Sequence, residues 1–338
     1  MSRLCAALVA LGLAVAAQAA PPETTPFAGR PEVKAFINQM VKRHKFDAGE
    51  LRRMFAHAKR EQEVLDAIRP SSSQVDQSWE LYRSIFVNPK RISAGLEFWS
   101  RHSDALARAH RIYGVPEEYI VAIIGVETFY GRHTGRWRVV DALATLAFDY
   151  PPRGAFFRRE LTNYLLYARD AGIDAFSVKG SYAGAIGIPQ FMPGSYLKYA
   201  VDFDGDGVAD LSGSAEDAIG SVANFLKQHG WQSGEAVQYE ARVDGNGFRS
   251  FLDGGFRPRH PLAQLAKAGI VPEDPAQPPA GDTRAALVEL ETPDAPSEFR
   301  LALHNFYVIT RYNNSSFYAS AVSDLAQALR SARARSPS

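Results

Sequence analysis

A single carboxylate on an otherwise apolar helical face constrains this chain more than any other feature of its sequence. Three isoleucines and one glutamate recur at the spacing i, i+3, i+4 and i+7: Ile120, Ile123, Ile124 and Glu127. On a helix these side chains share one stripe, which the isoleucines direct towards the core. Burial would raise the pKa of the carboxyl group, by up to ~3–5 units. A group still protonated near neutral pH is a general acid; the alternatives are an ion pair with a neighbouring arginine or an exposed register.

Length and charge place the chain among ordinary globular proteins and exclude nucleic acid as a partner. Its 338 residues are enough for a sizeable core and roughly two or three subdomains. The hydrophobic share of 46% and the charged share of 22% are usual for a folded protein. Lys and Arg total 38 and Asp and Glu total 37. Without a basic surplus, the electrostatic basis for binding a phosphate backbone is missing.

Residues 1–19 have the pattern of an export signal. Arg3 supplies a short positive region, an apolar run from Leu4 to Ala17 follows, and residues 17–19 form a small-x-small cleavage site. We therefore expect cleavage after Ala19. An uncleaved membrane anchor is the alternative, although the run is short for a bilayer span. Cys5 lies too early for a lipoprotein signal, so the mature chain would have neither a cysteine nor a transmembrane segment.

Helical periodicity through most of the chain predicts a mainly α fold. Asp47 and Glu50 form a candidate capping box for one of the first helices. Pro116 at a first helical position, with acidic residues in the first turn, begins the helix of Glu127. A last helix carries apolar residues on one face up to Leu329. The basic segment from Arg330 to Arg335 is expected to be a disordered tail.

The composition changes after Trp231 and indicates a small β-rich insertion. Residues 237–243 and 285–291 alternate like strands, and a Gly/Pro-rich loop from Pro272 to Gly281 lies between them. The chain then returns to helix. The predicted organisation is a signal peptide at 1–19, an α-rich N-terminal domain at 20–95, a helical core at 96–232, a β-rich domain at 233–303, a return to the core at 304–332 and a tail at 333–338.

An acidic, glycine-containing segment matches the first part of an EF-hand calcium loop. Acids occupy positions 1, 3, 5 and 9, a glycine occupies position 6, and the carbonyl of position 7 would be a ligand. The predicted ligands are the carboxylates of Asp202, Asp204 and Asp206 and the carbonyl of Val208. Carboxylate and carbonyl oxygens suit a hard cation, so we expect a structural Ca²⁺.

The end of this loop departs from the EF-hand pattern. Gly213 stands at position 12, where a bidentate glutamate is expected, and Glu216 or Asp217 would close a lengthened loop over residues 202–217. The alternative for Asp217 is a capping box with Ser214 at the start of the next helix. For the whole loop the alternative is a solvated acidic turn.

Residues 180–193 are dense in glycine and aromatic side chains. This segment lacks the lysine and the serine or threonine of a phosphate-binding loop. It fits either a tight helix-packing site or a groove floor that a sugar can approach. In a groove, Ser181 and Gln190 would supply hydrogen bonds, and Tyr182 and Phe191 would supply apolar faces.

Together these segments resemble the B-type family of membrane-bound lytic murein transglycosylases. The resemblance rests on ordered blocks from about Gly114 to Leu329. They are residues 124–128 (IGVET), 141–146 (DALATL), 148–151 (FDYP), 180–185 (GSYAGA), 189–193 (PQFMP), 217–224 (DAIGSVAN), 304–307 (HNFY) and 311–313 (RYN). The resemblance implies a lysozyme-like helical core with an α-rich N-terminal domain and a small β-rich domain. It also implies a periplasmic enzyme that acts on peptidoglycan glycan strands, with cell-wall synthesis or division proteins as candidate partners.

The family's activity is cleavage of the MurNAc–GlcNAc β-1,4 bond without water, which leaves a 1,6-anhydro-MurNAc end. The resemblance implies that Glu127 is the single acid/base and that Phe225 stands where the family often has a groove tyrosine. It implies a substrate groove that contains Ser181, Gln190, Tyr312, Asn313 and Tyr318. It implies calcium ligands at Asp202, Asp204, Asp206, the Val208 carbonyl and Asp217.

Two other functions remain compatible with the sequence. A hydrolytic muramidase would use the same core but needs a second carboxyl group, for which Asp141 and Asp149 are the nearby acids. A catalytically silent protein would bind the cell wall through the groove and the β-rich insertion. A single carboxyl group is sufficient if the substrate supplies the nucleophile, for which its own C6 hydroxyl is the hypothesis.

Overall fold

The computed structural model describes residues 26–69, 78–273 and 280–335. The predicted signal peptide and its cleavage site lie outside this part of the chain. The protein forms two compact units, which divide between Lys59 and Arg60. The domain boundaries predicted from the sequence, including the one near residue 95, stay predictions. None of the described helices combines the length and the apolar character needed to cross a bilayer.

The smaller, N-terminal unit contains two α-helices: α1 (Pro31–His44) and α2 (Ala48–His57). Phe36 of α1 and Phe55 of α2 are both buried, and their rings meet edge to face with centroids 5.9 Å apart. The Asp47 carboxylate accepts a hydrogen bond from the Glu50 amide at 2.7 Å and so caps the start of α2. This contact is the N-cap half of the predicted capping box.

The larger unit is built mostly of helices, which confirms the mainly α fold class. Its helices are α3 (Gln62–Ala67), α4 (Trp79–Phe86), α5 (Pro89–Arg101), α6 (Ser103–Tyr113), α7 (Glu117–Thr128), α8 (Val139–Asp149), α9 (Gly154–Asp170), α10 (Pro193–Tyr199), α11 (Ala215–Gln228), α12 (Leu262–Lys267), α13 (His304–Ile309) and α14 (Ser316–Arg335). Its strands are β1 (Trp137–Arg138), β2 (Lys179–Gly180), β3 (Gln238–Val243), β4 (His260–Pro261), β5 (Ile270–Pro272), β6 (Arg284–Leu290) and β7 (Glu298–Ala302).

Helix α7 is central to the larger unit. It packs against α5, α6, α11 and α14. The predicted isoleucine stripe is buried: Ile120, Ile123 and Ile124 are each 0% exposed. Each such side chain contributes roughly 1.5–3 kcal/mol of transfer free energy. The helix begins at Glu117, one residue later than predicted, because Pro116 keeps an extended backbone (φ −62°, ψ 142°) and is the N-cap.

The β-rich segment forms a five-stranded antiparallel sheet in the order β4-β6-β7-β3-β5. Strands β3 and β6 are the two that the alternating pattern predicts. Leu287 of β6 lies opposite Leu301 of β7, and both side chains are buried together with Leu265 of α12. The sheet therefore has a hydrophobic core of its own, which accounts for the change in composition after Trp231.

The prediction of a disordered basic tail from Arg330 to Arg335 is wrong. Helix α14 continues to Arg335. Arg330 lies 3.7 Å from the Glu118 carboxylate, and the Arg333 guanidinium lies 4.4 Å from the ring centre of Trp99 and 4.0 Å from Glu117. These acids occupy the first turn of α7, so the arginines gain partners that the sequence pattern alone does not reveal.

Candidate active site

Glu127 lies on the last turn of α7 and is half-buried. Its Oε1 accepts a hydrogen bond from the hydroxyl of Tyr318 on α14, over 2.6 Å. Tyr318 is 2% exposed, so this contact is shielded from solvent. Among the described residues, no arginine or lysine forms an ion pair with Glu127. The structure therefore shows neither the ion pair nor the exposed register that the sequence left open.

Burial raises the pKa of Glu127 to about 7, while the hydrogen bond from Tyr318 acts in the opposite direction. Desolvation dominates because a carboxylate loses more solvation free energy on burial than a neutral carboxyl group does. Near neutral pH the group is therefore present in both its protonated and its ionised forms. A group that donates and later recovers a proton needs this balance.

The backbone that follows Glu127 is held in an unusual conformation. Phe129 and Tyr130 have left-handed φ angles of 51° and 61°, each of which costs roughly 1–3 kcal/mol for a residue with a side chain. The Thr128 hydroxyl donates to the Ile188 carbonyl at 2.8 Å, and the Tyr130 hydroxyl donates to a backbone carbonyl of α5 at 3.0 Å. These bonds fix the end of α7 and with it the direction of the Glu127 side chain.

An arginine that the sequence analysis missed supports the same helix end. The Arg91 guanidinium donates to the Gly125 carbonyl and lies 4.9 Å from the ring centre of Phe129. A cation is favourable at the C-terminus of a helix, where carbonyl groups lack helical partners. Arg91 is 34 residues from Gly125, so no local pattern could have indicated the contact.

A row of aromatic rings extends from Glu127. Tyr312 stacks on Tyr318 with centroids 6.4 Å apart and planes at 15°, and Phe191 and Phe225 lie 5.8 and 4.7 Å from Tyr312. The Tyr312 hydroxyl donates to the Pro189 carbonyl at 2.6 Å. The structure therefore brings two predicted groove tyrosines to the acid, and Phe225 adds an apolar ring without a hydroxyl.

Ser181 and Gln190 belong to one tightly folded segment. The Ser181 Oγ accepts hydrogen bonds from the amides of Ala183 and Ala185 at 3.3 and 3.1 Å, which leaves its proton to be donated outward. The Gln190 side-chain NH₂ group donates to the carbonyls of Thr134 and Gly187. Its carbonyl oxygen is therefore the part of the Gln190 side chain that remains for a ligand.

Asn313, the fifth predicted groove residue, is exposed next to Tyr312. Both residues line a cavity of about 990 Å³, together with Phe225, His229 and Met192. The cavity begins at the aromatic row and is large enough for several sugar rings. The predicted groove residues thus come from two segments of the chain, 181–190 and 312–318, and the Tyr312 hydroxyl joins the two by donating to the Pro189 carbonyl.

The acidic loop brings three of its five predicted ligands together. Carboxylate oxygens of Asp202, Asp204 and Asp217 lie within 4.8 Å of one another. Such a set of hard oxygen donors fits Ca²⁺. Among the acids, Asp206 is outside this cluster, and its carboxylate accepts a hydrogen bond from the Val208 amide at 2.9 Å.

The structure distinguishes the two acids that could close the loop. The Asp217 carboxylate is buried and accepts hydrogen bonds from the backbone amides of Phe203, Asp204 and Asp210. Glu216 instead pairs with Arg108 at 3.0 Å. The Ser214 hydroxyl also caps α11 by accepting a hydrogen bond from the Asp217 amide. This is the N-cap half of the alternative capping box, while the Asp217 carboxylate stays with the loop.

A helical core with a half-buried acid next to stacked tyrosines, one of which lines a sugar-sized cavity, is the architecture of a lysozyme-like, glycan-cleaving enzyme. The chain belongs to the family described as Transglycosylase SLT domain, whose model matches residues 28–327. It is therefore a lytic transglycosylase of peptidoglycan, which confirms the family, the lysozyme-like fold and the lyase class predicted from the sequence.

Three relatives document this membership. Membrane-bound lytic murein transglycosylase B of Escherichia coli (strain K12) is 44% identical over 316 residues, which are 91% of this chain and 85% of that protein. The structure of soluble lytic transglycosylase SltB1 from Pseudomonas aeruginosa has 45% identity and a TM-score of 0.83, over 90% of this chain and 100% of that chain. The Escherichia coli lytic transglycosylase Slt35 in complex with calcium has 43% identity and a TM-score of 0.81, over 91% and 96%.

Proposed function

We propose that Glu127 is the single acid and base of a non-hydrolytic cleavage of the MurNAc–GlcNAc β-1,4 bond. One observation carries this proposal: a half-buried carboxyl group with a pKa of about 7 whose partner is a tyrosine hydroxyl. An ion pair with arginine would lower the pKa and hold the carboxylate ionised. A tyrosine donor leaves the group able to give up a proton.

The reaction balances without water. Protonated Glu127 donates its proton to the glycosidic oxygen as the bond from that oxygen to C1 of MurNAc breaks, which releases the GlcNAc 4-hydroxyl. The oxygen of the substrate's N-acetyl group stabilises the positive charge at C1. The C6 hydroxyl oxygen then attacks C1, and its proton returns to the Glu127 carboxylate. The attack is intramolecular, for which effective molarities reach ~10⁵–10⁸ M.

The two other acids that could serve a hydrolytic mechanism are already engaged. Asp141 pairs with Arg138 at 2.5 Å, and Asp149 pairs with Arg60 at 3.1 Å. A hydrolase needs its second carboxylate free beside the scissile bond to attack or to activate water. This pairing favours the substrate-assisted reaction over a hydrolytic muramidase.

The groove residues have distinct proposed tasks. Ser181 donates a hydrogen bond to the sugar, and the Gln190 carbonyl oxygen accepts one. Tyr312 presents its ring next to Glu127, and Asn313 provides amide contacts at the entrance of the cavity. Tyr318, which is buried, acts on the substrate through Glu127, whose carboxyl group its hydroxyl holds in place. Sugars suit such a surface because their C–H faces pack on aromatic rings while their hydroxyls need partners.

Product mass after digestion of isolated sacculi tests the reaction. A transglycosylase releases muropeptides with an anhydro end, lighter by one water than the hydrolytic product. Glu127→Gln should abolish turnover while binding and folding are retained. Products with reducing MurNAc ends would establish the muramidase alternative. If the unsubstituted protein bound the wall but released no product, the binding-protein alternative would be established.

The acidic loop is proposed to hold a structural Ca²⁺ through Asp202, Asp204, Asp206, the Val208 carbonyl and Asp217. The fit of the three clustered carboxylates supports this assignment, as does the calcium complex of the Escherichia coli relative Slt35. Bound there, the ion would offset the mutual repulsion of the carboxylates and fix the loop against the start of α11. It takes no part in the cleavage.

Export to the periplasm is proposed from the N-terminal pattern. Cleavage after Ala19 would release a mature chain without a lipoprotein cysteine, and peptidoglycan strands would then be within reach. Cell-wall synthesis or division proteins are the proposed partners. Intact mass measurement of the protein isolated from the periplasm checks the cleavage site; a chain that retains residues 1–19 would contradict it.

A further inference from the structure

A two-stranded ribbon lies beside Ser181. Strands β1 and β2 pair antiparallel, with Trp137 opposite Gly180. The two segments approach so closely that a Cβ on Gly135 would lie 2.0 Å from the carbonyl of Gly180. Gly135 also has a φ of 105°. The ribbon is therefore a rigid base from which neighbouring side chains project.

The turn after this ribbon exposes a tyrosine on a fixed backbone. The Ser181 hydroxyl accepts hydrogen bonds from the amides of Ala183 and Ala185, and the Ser181 carbonyl accepts one from the amide of Gly184. Tyr182 lies inside this turn, yet its side chain is 36% exposed. In the described part of the chain, the other large apolar side chains that are this exposed are all aliphatic. The hydrogen bonds of the turn therefore hold an aromatic ring at the surface, directly next to Ser181.

Trp137 supports the ring of Tyr182 from the side. The ring centroids lie 6.3 Å apart with planes at 86°, an edge-to-face arrangement. The Arg136 guanidinium lies 4.6 Å from the ring centre of Trp137 and pairs with Glu63 at 2.5 Å. Both charged side chains are largely exposed. An aromatic surface therefore borders a cluster of hydrogen-bond donors and acceptors, as sugar recognition requires.

This surface continues the substrate groove. Tyr182 directly follows Ser181, and the Gln190 side chain donates to the carbonyl of Thr134, three residues before Trp137. A glycan strand bound by Ser181 and Gln190, as in the proposed function, would therefore pass next to the ribbon. Because the surface continues the groove, we expect it to bind the glycan chain rather than a protein.

We propose that Tyr182, held by Trp137, is a stacking platform for a sugar ring of the glycan strand beyond the two rings joined at the scissile bond. The ring's C–H face packs on Tyr182, and Arg136 and Glu63 bond its hydroxyls. The inference rests on the proposed function of the Glu127 groove, which it extends by one subsite. Its consequence is a preference for longer strands over the shortest that is cleaved.

The test compares glycan oligosaccharides of increasing length. Affinities are measured in a Glu127→Gln background, and kcat and KM in the active enzyme, for Tyr182→Ala, Tyr182→Phe and Tyr182→Leu. The control is Ile112→Ala, which removes an exposed apolar side chain on α6 that is 57% exposed. Tyr182→Ala and Tyr182→Leu should bind long strands about tenfold more weakly, with KM raised and kcat retained. Tyr182→Phe and the control should match the unsubstituted protein.

The leucine variant separates loss of the aromatic face from loss of packing, and melting temperatures check that each variant folds. Equal affinity of Tyr182→Ala and the unsubstituted protein for long strands would overturn the platform. So would a loss that is the same for the shortest substrate and the longest. Retained turnover in Glu127→Gln alone would instead refute the proposed function, so the two failures are distinguishable.

Discussion

Glu127 differs from most buried acids in the kind of partner it has. A buried carboxylate usually pairs with a cation, because an isolated charge is costly to desolvate. Here the partner is a neutral hydroxyl, and the cost of desolvation appears as a pKa raised to about 7. The unfavourable environment of this single residue is therefore what enables the proposed chemistry.

The first prediction concerns the dependence of rate on pH. Glu127 must be protonated to begin the reaction, so kcat/KM should fall about tenfold per pH unit above about 7. Tyr318→Phe removes the donor that lowers this pKa, so the basic limb should shift to higher pH and kcat should decrease. The pH–rate profiles of both proteins on sacculi measure this. A flat profile from about pH 6 to 9 would contradict the assignment of Glu127.

The second prediction concerns stability. The folded-state pKa of Glu127, about 7, exceeds its ordinary value of 4.5, so folding favours the protonated form. The stability contributed by this protonation is complete below about pH 4.5 and is lost as pH rises to about 7. Glu127→Gln remains neutral throughout, so it should raise the free energy of unfolding at pH 8 by roughly 1–3 kcal/mol relative to the unsubstituted protein.

Urea denaturation at pH 8 and pH 4 checks this second prediction. The difference between the two proteins should shrink at the lower pH, where both side chains are neutral. An equal difference at both pH values would mean that the substitution acts through packing rather than through charge.

At the scale of elements, the site depends on how the helix end and the ribbon are held. The two left-handed residues after α7 and the β1–β2 ribbon both position side chains against the 181–191 segment. A bridge between Ile186 and Phe191 and the hydrogen bond from Thr128 to Ile188 tie that segment together. Damage to the ribbon should therefore reach Ser181 and Gln190 even though the acid lies on a helix.

Gly135→Ala provides the third prediction. The new methyl group would overlap the Gly180 carbonyl, and the alanine would have to keep a positive φ angle. The free energy of unfolding should therefore fall by roughly 2–4 kcal/mol. Gly172→Ala is the matched control, because Gly172 also has a positive φ, of 65°, but no atom within 4 Å of the added methyl. Urea denaturation should show a much smaller loss for the control. Similar losses would mean that the close approach is unimportant.

At the scale of the whole molecule, distant segments supply the parts of one site. Glu127 and its donor Tyr318 are 191 residues apart, and the β-rich sheet lies between them in sequence. Helix α14 joins these parts, because it carries Tyr318 near its start and Arg330 and Arg333 near its end. Global stability therefore controls the site as much as local structure does.

The fourth prediction is a stability response to Ca²⁺. Chelator-treated protein should melt several degrees higher in excess Ca²⁺, because an ion bound only by the folded state stabilises it by roughly 2.7 kcal/mol at a hundredfold excess over its Kd. Asp217→Asn should lose this response. Glu216→Gln, the neighbouring acid that pairs with Arg108, should keep it. An identical melting temperature with and without Ca²⁺ would contradict the assignment of a metal ion to the loop.

Sequence patterns were sufficient wherever the interactions are local. The isoleucine stripe of α7, the strands β3 and β6 and the acidic loop follow from spacings of a few residues, and these elements are present in the structure. The composition of residues 180–193 suggested Ser181 and Gln190 as groove residues, and the resemblance to a known family added Tyr312, Asn313 and Tyr318, which lie far away in the sequence. The prediction of a disordered tail was wrong because the partners of Arg330 and Arg333, Glu118 and Trp99, lie far away in the sequence.

Periodicity alone predicted that a carboxyl group lies on the apolar face of a helix, because side-chain direction on a helix repeats with the chain itself. Only the tertiary structure decided that a tyrosine is its partner, that Glu216 pairs with Arg108 and that Arg91 supports the helix end. Those contacts join residues that are far apart in sequence, and their energies depend on distances that exist only once the chain has packed.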